Sequence, residues 1–130
     1  MRLVQYLMFA FFCALFSTNG ANAASLTAGE IKQRLSGATV TYFDGRGRPV
    51  TDVYEPDGRI QTSVEGHGRQ GLQRFDGKWW VDEPDKLCRQ QPLRAGGRAM
   101  CRKVYNEDGA IFPESRSGGG PGRVQWSITK

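Results

Sequence analysis

The residues of this sequence best placed to do chemistry are two cysteines, Cys88 and Cys101. Thiol-exchange and metal sites normally use a C-x-x-C spacing, which is absent here, and the single histidine is distant in sequence. An even number of cysteines in an exported chain favours a disulfide instead. We therefore predict a structural Cys88–Cys101 disulfide, which closes a loop of about a dozen residues and contributes about 3 kcal/mol of stability. No metal ligands and no cofactor are expected.

Other catalytic constellations are not recognisable in the sequence. His67 lies between glycines in EGHGRQG, and no serine has the strand-turn-helix setting of an activated nucleophile. The acidic residues Asp82, Glu83 and Asp85 share one turn, whereas glycosidases hold two carboxylates across a cleft and calcium loops need a different spacing. We predict that the protein is not an enzyme, and the role of His67 stays open.

The tandem tryptophans in GKWWVDEPDKLC give the sharpest binding hypothesis. Neighbouring side chains on a strand face opposite sides, so Trp79 is predicted to enter the core while Trp80 points outward. Trp80 is then either covered by a neighbouring element or exposed as an anchor for a glycan ring or a protein partner. We predict a basic-aromatic face that consists of Trp80, Lys78, Arg89, Arg102 and Lys103.

The first 23 residues have the pattern of a secretory signal peptide. Arg2 precedes an unbroken apolar run over residues 7–16, and Ala21-Asn22-Ala23 matches the small-x-small cleavage pattern. The apolar run is too short to cross a bilayer as a helix. Cleavage after Ala23 removes the third cysteine, Cys13, and leaves residues 24–130 as one β-rich domain without a transmembrane segment. We expect a periplasmic or secreted protein.

The elements that must position these residues are mostly strands. Only SLTAGEIKQRLSG predicts a helix, with Thr27 and Glu30 spaced as a capping box and Gly37 placed to end it. Asp-Gly pairs at 44–45, 57–58, 76–77 and 108–109 predict tight hairpin turns. The predicted fold is mainly β, an antiparallel meander or small barrel of about seven or eight short strands with one short N-terminal helix.

Aromatic residues are expected to supply much of the core because aliphatic residues are few. The candidates are Phe43, Tyr54, Phe75, Trp79, Phe112 and Trp126. The glycine-rich segment SRSGGGPG at 115–122 is predicted to be a mobile loop before the last strand.

Several of these segments resemble a known group of proteins. The helix LTAGEIKQRLSG, then YEPDGRI, GKWWV, KLC and MCRKVY, behind a signal peptide, is similar to small uncharacterised periplasmic single-disulfide β-meander proteins of proteobacteria. The resemblance covers most of the mature chain and implies a fold and a location, but no activity. The layout is also similar to periplasmic protease inhibitors, which are small one-disulfide β-barrels.

The net charge of +5 is spread along the chain, which is typical of a solvated surface and not of a specific nucleic-acid site. Together these features predict a non-catalytic binding or interaction domain that acts through the basic-aromatic face. Its partner would be an unknown protein, a glycan or an anionic surface. The alternative is an inhibitor of a secreted or periplasmic hydrolase, which would insert a terminus or the 115–122 segment into an active site.

Overall fold

A computed structural model of the chain describes residues 23–66 and 71–130. The predicted signal peptide, apart from Ala23, and His67 lie outside the described residues. The described chain is mainly β, with antiparallel strands and one short α-helix, as the sequence predicts. Within it, no helix is both long enough and apolar enough to cross a membrane.

Helix α1 spans Ala28–Leu35 and is preceded by β1 (Ala24–Ser25). The strands that follow are β2 (Thr39–Phe43), β3 (Pro49–Tyr54), β4 (Arg59–Val64), β5 (Gln73–Asp82), β6 (Lys86–Gln90), β7 (Met100–Arg102), β8 (Val104–Glu107), β9 (Ala110–Pro113) and β10 (Ser127–Thr129). A short 3₁₀ turn, Ala95–Gly97, lies between β6 and β7. The ten described strands exceed the seven or eight predicted because several are only two to four residues long.

Seven strands form one curled sheet in the order β10-β2-β3-β4-β5-β6-β7, which makes half of a barrel. Strands β2 to β7 follow each other as a meander, and the C-terminal β10 returns to pair with β2. A second, three-stranded sheet has the order β1-β8-β9. An isolated bridge between Ile111 and Trp126 connects β9 to the segment that leads into β10.

Helix α1 begins and ends at the predicted residues. The Thr27 hydroxyl accepts a hydrogen bond from the Glu30 N–H, and a Glu30 carboxylate oxygen accepts one from the Thr27 N–H, which completes the capping box. Gly37, with φ of 78°, follows the C-cap in the left-handed region that favours glycine. An isolated helix of eight residues is not stable in water, so α1 depends on packing its Ile31 and Leu35 side chains into the core.

One side of the curled sheet faces this core. Ile60, Thr62 and Val64 alternate with more exposed neighbours along β4 and are all buried, as their spacing predicts. The same side carries Tyr54 and Trp79, whose rings meet edge to face at 5.4 Å between centroids. Trp79 is therefore a core residue, as predicted, and its indole N–H donates to the Glu55 carbonyl at 2.8 Å.

The predicted aromatic core is only partly correct. Phe43, at the end of β2, is 65% exposed. It lies on the side of β2 that faces away from the core. Phe75 and Phe112 are only half-buried, whereas Tyr54, Trp79 and Trp126 are buried as expected.

Among the Asp-Gly pairs, Asp108-Gly109 forms a tight β8–β9 hairpin turn with φ of 52° and 88° at its two residues, as predicted. Asp76-Gly77 is instead inside β5, where Gly77 pairs with Ile60 of β4. A Cβ at Gly77 would lie 2.1 Å from the Gln90 carbonyl oxygen, so this glycine permits a close approach of two backbones. Asp76-Gly77 therefore allows β5 to pack closely against the backbone at Gln90 and does not form a turn.

Candidate functional site

The structure divides the predicted basic-aromatic face between two sides of the sheet. Residues directly opposite each other on paired antiparallel strands share a side. Trp80 is opposite Cys88, while Arg89 is opposite Trp79, so Trp80 and Arg89 face opposite sides. Lys78 lies on the Trp80 side.

Of the remaining two residues, Arg102 separates from Trp80. Arg102 is opposite Leu87 and shares the core-facing side with Arg89. Lys103 follows β7, and its ammonium lies 3.6 Å from the Asp85 carboxylate. Trp80 itself is half-buried. Of the five predicted residues, Trp80 and Lys78 thus share one side of the sheet, and Arg89 and Arg102 share the other.

Arg89 and Arg102 line a cavity of about 600 Å³. Three further arginines, Arg94, Arg98 and Arg116, line it as well, and we call this space the arginine cavity. The other polar side chains in its wall include Gln91, Glu114 and Ser115. Five guanidinium groups and one carboxylate give the cavity a strongly positive lining.

The chain segments around the cavity explain how the arginines come together. Arg89 belongs to β6 and Arg102 to β7, two strands paired at the edge of the curled sheet. Arg94 and Arg98 flank the 3₁₀ turn in the loop that connects these strands. Arg116 comes from the segment that follows β9. Four of the five arginines thus lie within or next to the loop closed by the Cys88–Cys101 disulfide.

The predicted disulfide is present, and Cys101 lines the arginine cavity. Its two Cα atoms are 4.0 Å apart, and Cys88 and Cys101 are directly opposite each other on β6 and β7. The bridge therefore holds together the two strands that carry Arg89 and Arg102. A carboxylate oxygen of Asp82 and the two sulfurs lie within 4.8 Å of one another. Because the sulfurs are bonded to each other, this group offers a metal only the Asp82 carboxylate while the bridge is intact.

Arg89 is fixed by a buried polar network. Its Nη1 donates to Oδ2 of Asp52 at 3.1 Å, and the other Asp52 oxygen accepts a hydrogen bond from the Thr62 hydroxyl. Gln91 Nε2 in turn donates to Thr62 Oγ1 at 2.8 Å. Burial is the largest single influence on the pKa of Arg89 and lowers it, but its neighbours, the Asp52 carboxylate among them, raise it, and the net pKa lies above the ordinary value. This guanidinium therefore stays charged.

Arg94 is held by an aromatic ring. Its guanidinium carbon lies 5.3 Å from the centre of the Phe75 ring, within the range of a cation–π contact. Its Nη1 is buried and has no hydrogen-bond partner among the described residues. A buried charged donor without an acceptor is costly, so this atom is one that an anionic ligand in the cavity would stabilise.

The pKa of Arg102 lies below its ordinary value. Burial is the main cause that lowers the pKa of Arg102, and repulsion from Arg89 lowers it further, with a smaller effect from Arg116. Cations that disfavour one another's charge create a site where an anion is attracted.

Most of the arginine charge in the cavity lacks a carboxylate partner. The salt bridges formed among the described residues involve Arg48, Arg59, Arg89 and Lys103. Within the same residues, Arg94, Arg98, Arg102 and Arg116 therefore have no carboxylate oxygen within 4.0 Å. Glu114, the one acidic side chain in the wall, accepts a hydrogen bond from the Lys103 N–H at 3.0 Å.

The glycine-rich segment 115–122 turns back on itself and forms part of the cavity wall. The N–H of Ser115 donates to the Gly120 carbonyl at 2.9 Å, and the N–H of Gly122 donates to the Pro113 carbonyl at 2.7 Å. An isolated bridge joins Glu114 to Pro121. An inhibitor that acts through this segment stays a prediction.

Sequence reasoning missed Arg94, Arg98 and Arg116 because they lie in loops, where no strand register predicts their direction. A signal was present for Arg94 and Arg98 in CRQQPLRAGGRAMCR, where four arginines fall inside or directly after a disulfide-closed loop. Closure of a short loop forces its residues to share a small volume, so the density of like charge was itself informative.

Comparisons of the chain with known protein families, with curated proteins and with solved structures find no match. The resemblance to periplasmic β-meander proteins thus stays a prediction, and the functional inference rests on the site itself.

Proposed function

We propose that the protein is a non-catalytic binding domain, periplasmic or secreted, that takes an anionic ligand into the arginine cavity. The observation that carries this proposal is the convergence of five arginines on one cavity of about 600 Å³. Like charges repel, and collecting them in one partly buried space costs free energy unless an anion offsets it.

The guanidinium group specifies the chemistry of the ligand. Its planar fork of N–H donors matches the two oxygens of a carboxylate or a phosphate, and such charge-assisted pairs are stronger than neutral hydrogen bonds. The cavity volume is in the range of small-molecule sites. Among the guanidinium groups, Arg89 is already neutralised by Asp52, so Arg94, Arg98, Arg102 and Arg116 are the groups available to a ligand.

The remaining groups in the wall support binding and not covalent chemistry. Ser115 is a hydroxyl in the cavity, and its Oγ lies 3.0 Å from Ser117 Oγ, a group too weakly basic to activate it. The Glu114 carboxylate already accepts a hydrogen bond from the Lys103 backbone N–H. Gln91 is held in the network with Thr62. These contacts favour a binding role for the site.

The test is a titration of the mature chain with inorganic phosphate, followed by NMR of the backbone amides and the arginine Nε–H groups. We expect saturable shifts confined to residues that line the cavity, and a binding constant that weakens as salt is added. The variant R98Q combined with R116Q should weaken phosphate binding at least tenfold, because it removes two exposed guanidinium groups without touching the buried Asp52 network.

The matched control is R74Q combined with R46Q. Arg74 lies on the side of β5 that faces away from the core, Arg46 lies in the β2–β3 turn, and both are exposed. This pair removes the same charge elsewhere and should change the affinity by no more than about twofold. Equal losses in both double variants, or shifts spread over the whole surface, would show that phosphate responds only to net charge, and the proposal would be wrong.

A further inference from the structure

Strand β7 forms one edge of the curled sheet, and this edge borders the arginine cavity. Among the described strands, β7 pairs only with β6, at the end of the strand order. Its three residues, Met100, Cys101 and Arg102, all line the cavity. Backbone groups at a strand edge without a neighbour are free to pair with another chain.

The hydrogen bonds of Lys103 show which backbone groups of β7 point away from β6. Lys103 directly follows β7, and its carbonyl accepts a hydrogen bond from the Glu114 N–H at 2.9 Å. Its own N–H donates to a Glu114 carboxylate oxygen at 3.0 Å. Residues two apart on an extended chain direct their N–H and C=O groups to the same side. The N–H and C=O groups of Cys101 therefore also point away from β6.

The distance between Cys88 and Cys101 gives the same assignment. The two residues are directly opposite each other, and their Cα atoms are 4.0 Å apart. In an antiparallel ladder the Cα atoms are about 5.5 Å apart in a hydrogen-bonded pair and about 4.5 Å apart in a non-hydrogen-bonded pair. Cys88 and Cys101 thus form a non-hydrogen-bonded pair, in which the backbone groups of Cys101 face away from β6.

The segment next to Lys103 leaves β7 before it reaches Cys101. Lys103 and Glu114 continue the register of the β8–β9 ladder, which would place Arg116 opposite Cys101. Residues 115–118 form a turn instead, and the cavity, which both Cys101 and Arg116 line, separates the two residues. Among the described residues, no turn or loop backbone group bonds to Cys101. The cavity therefore has the position of a strand added to β7.

We propose that the arginine cavity binds the C-terminus of an acidic peptide, which pairs with β7 as an antiparallel strand. This inference rests on the proposed anion site and names its ligand. Cys101 supplies an N–H and a C=O to the peptide backbone, and Arg94 and Arg98 bind the terminal carboxylate. A peptide uses both the strand edge and the guanidinium groups, whereas a small phosphate compound has no extended backbone to pair with β7.

The charges at the two ends of β7 set the direction of the peptide. The end at Lys103 carries the Glu114 carboxylate, which repels an anionic terminus. The other end directly follows the loop at 91–99, which carries Arg94 and Arg98. A peptide antiparallel to β7 has its C-terminus at this second end, so its carboxylate lies at the two loop arginines.

The side chains of β7 favour acidic residues in the peptide. Met100 and Arg102 share the core-facing side of the strand with Arg89, whose charge is paired with Asp52. Side chains alternate between the two sides of a strand, so every second residue of the peptide lies on the side of Arg102. Arg116 lines the cavity as well. A peptide with glutamate at alternate positions therefore brings carboxylates to guanidinium groups that have no carboxylate partner among the described residues.

The test is a calorimetric titration of the protein with an N-acetylated hexapeptide of alternating valine and glutamate that ends in a free carboxylate. We expect saturable binding, slower hydrogen exchange of the Cys101 amide, and displacement of the peptide by inorganic phosphate. The same peptide with a C-terminal amide should bind about tenfold more weakly, because it lacks the group that Arg94 and Arg98 bind.

Two variants show which arginines recognise the terminus. In R98Q the acid and the amide should bind with affinities within about threefold of each other, because the variant lacks one of the two guanidinium groups. R74Q is the matched control, since Arg74 is exposed on β5 and does not line the cavity, and it should keep the full preference for the acid. An equal loss of the preference in both variants would contradict recognition by the loop arginines.

Two N-methylated peptides test the pairing with β7. Methylation of the alternate amides that face β7 should weaken binding about tenfold, whereas methylation of the other set should weaken it no more than about twofold. Equal affinities of the acid, the amide and both methylated peptides would overturn the inference, because net charge alone would then hold the peptide. Peptide binding that phosphate does not displace would also overturn it.

The two proposals fail in different ways. Phosphate binding without binding of the acid peptide would overturn this inference and leave the proposed function standing. Failure of both ligands to bind would reject the proposed function and this inference together.

Discussion

The Arg89 guanidinium and the Asp52 carboxylate are 3.1 Å apart, although β6 and β3 are separated by two intervening strands. In a flat sheet the two strands would be about 14 Å apart. The curl of the half-barrel and the length of the arginine side chain bring the two charges together. The ion pair thus joins the wall of the arginine cavity to the buried core.

Replacing Asp52 by asparagine should destabilise the fold and strengthen anion binding. The change leaves the Arg89 charge, which is only 18% exposed in its side chain, without its carboxylate. Removal of one partner of such a pair costs about 3 kcal/mol. Urea unfolding should show this loss, and phosphate titration should show a tighter site because Arg89 becomes available to the ligand.

Asp76→Asn is the matched control for this change. Asp76 is exposed on the opposite side of the sheet from Asp52, and its loss should change the free energy of unfolding by less than about 0.5 kcal/mol. Equal losses in the free energy of unfolding for the two variants would show that the buried ion pair does not stabilise the fold.

Gly77→Ala should destabilise the protein because β5 and β6 approach each other closely at this residue. The added methyl group would lie 2.1 Å from the Gln90 carbonyl oxygen and 2.7 Å from Gln91 Cγ. The two backbones must separate to make room for the methyl group, which costs about 1–3 kcal/mol. The separation also moves Gln91, which lines the arginine cavity. Gly45→Ala is the control, since a Cβ there meets nothing within 4 Å. A melting temperature for the Gly77 variant equal to that of the Gly45 variant would contradict the close approach.

Local sequence signals predicted those parts of the fold that depend on local physics. The capping box of Thr27 and Glu30, the alternation along β4 and the turn at Asp108-Gly109 each involve residues close in sequence. Asp76-Gly77 shows the limit of such signals. The dipeptide has turn chemistry, but the pairing of β5 with strands on both sides overrides it.

The candidate site was only partly predictable for a related reason. Arg89 and Arg102 were selected from the sequence, but the predicted grouping with Trp80 required one side of the sheet. The register Trp80–Cys88 and Trp79–Arg89 separates them, because a shift of one residue reverses the side on which every residue lies. Arg116 joins the site through long-range packing of the segment after β9, and no local pattern encodes that contact.

Reduction of the disulfide should loosen the arginine cavity. The bridge closes the loop that carries Arg94 and Arg98, and its loss should lower the free energy of unfolding by about 3 kcal/mol. Hydrogen exchange should accelerate for amides at 91–99, and phosphate should bind less tightly because the loop arginines are no longer held together. The double variant Cys88→Ala/Cys101→Ala should behave like the reduced protein. Unchanged exchange in this loop after reduction would mean that the disulfide does not organise the site.

Acidification should release the β2–β3 turn through Asp44. Burial raises the pKa of Asp44, but hydrogen bonds from the N–H groups of Arg48 and Arg46 and from the Arg48 guanidinium lower it below its ordinary value of 3.8. A lowered pKa in the folded state means that the carboxylate stabilises the turn above pH 3.8, and that this stability is lost as the pH falls through the folded pKa. The Arg46 and Arg48 amide shifts should therefore titrate with a midpoint below 3.8, and a midpoint at or above that value would contradict these hydrogen bonds.

Tyr54→Phe should stabilise the protein. The Tyr54 side chain is fully buried, and its hydroxyl has no hydrogen-bond partner among the described residues. Burial raises the pKa of this phenol, which therefore stays neutral and still lacks an acceptor. Phenylalanine keeps the edge-to-face contact with Trp79 and removes the unsatisfied group, so unfolding should require about 1 kcal/mol more. Tyr54→Leu is the control, because it removes the hydroxyl and the aromatic contact together and should destabilise the fold. A loss of stability in Tyr54→Phe, measured by urea unfolding, would show that the hydroxyl is hydrogen-bonded in solution, and the core around Trp79 would then contain a polar partner for it.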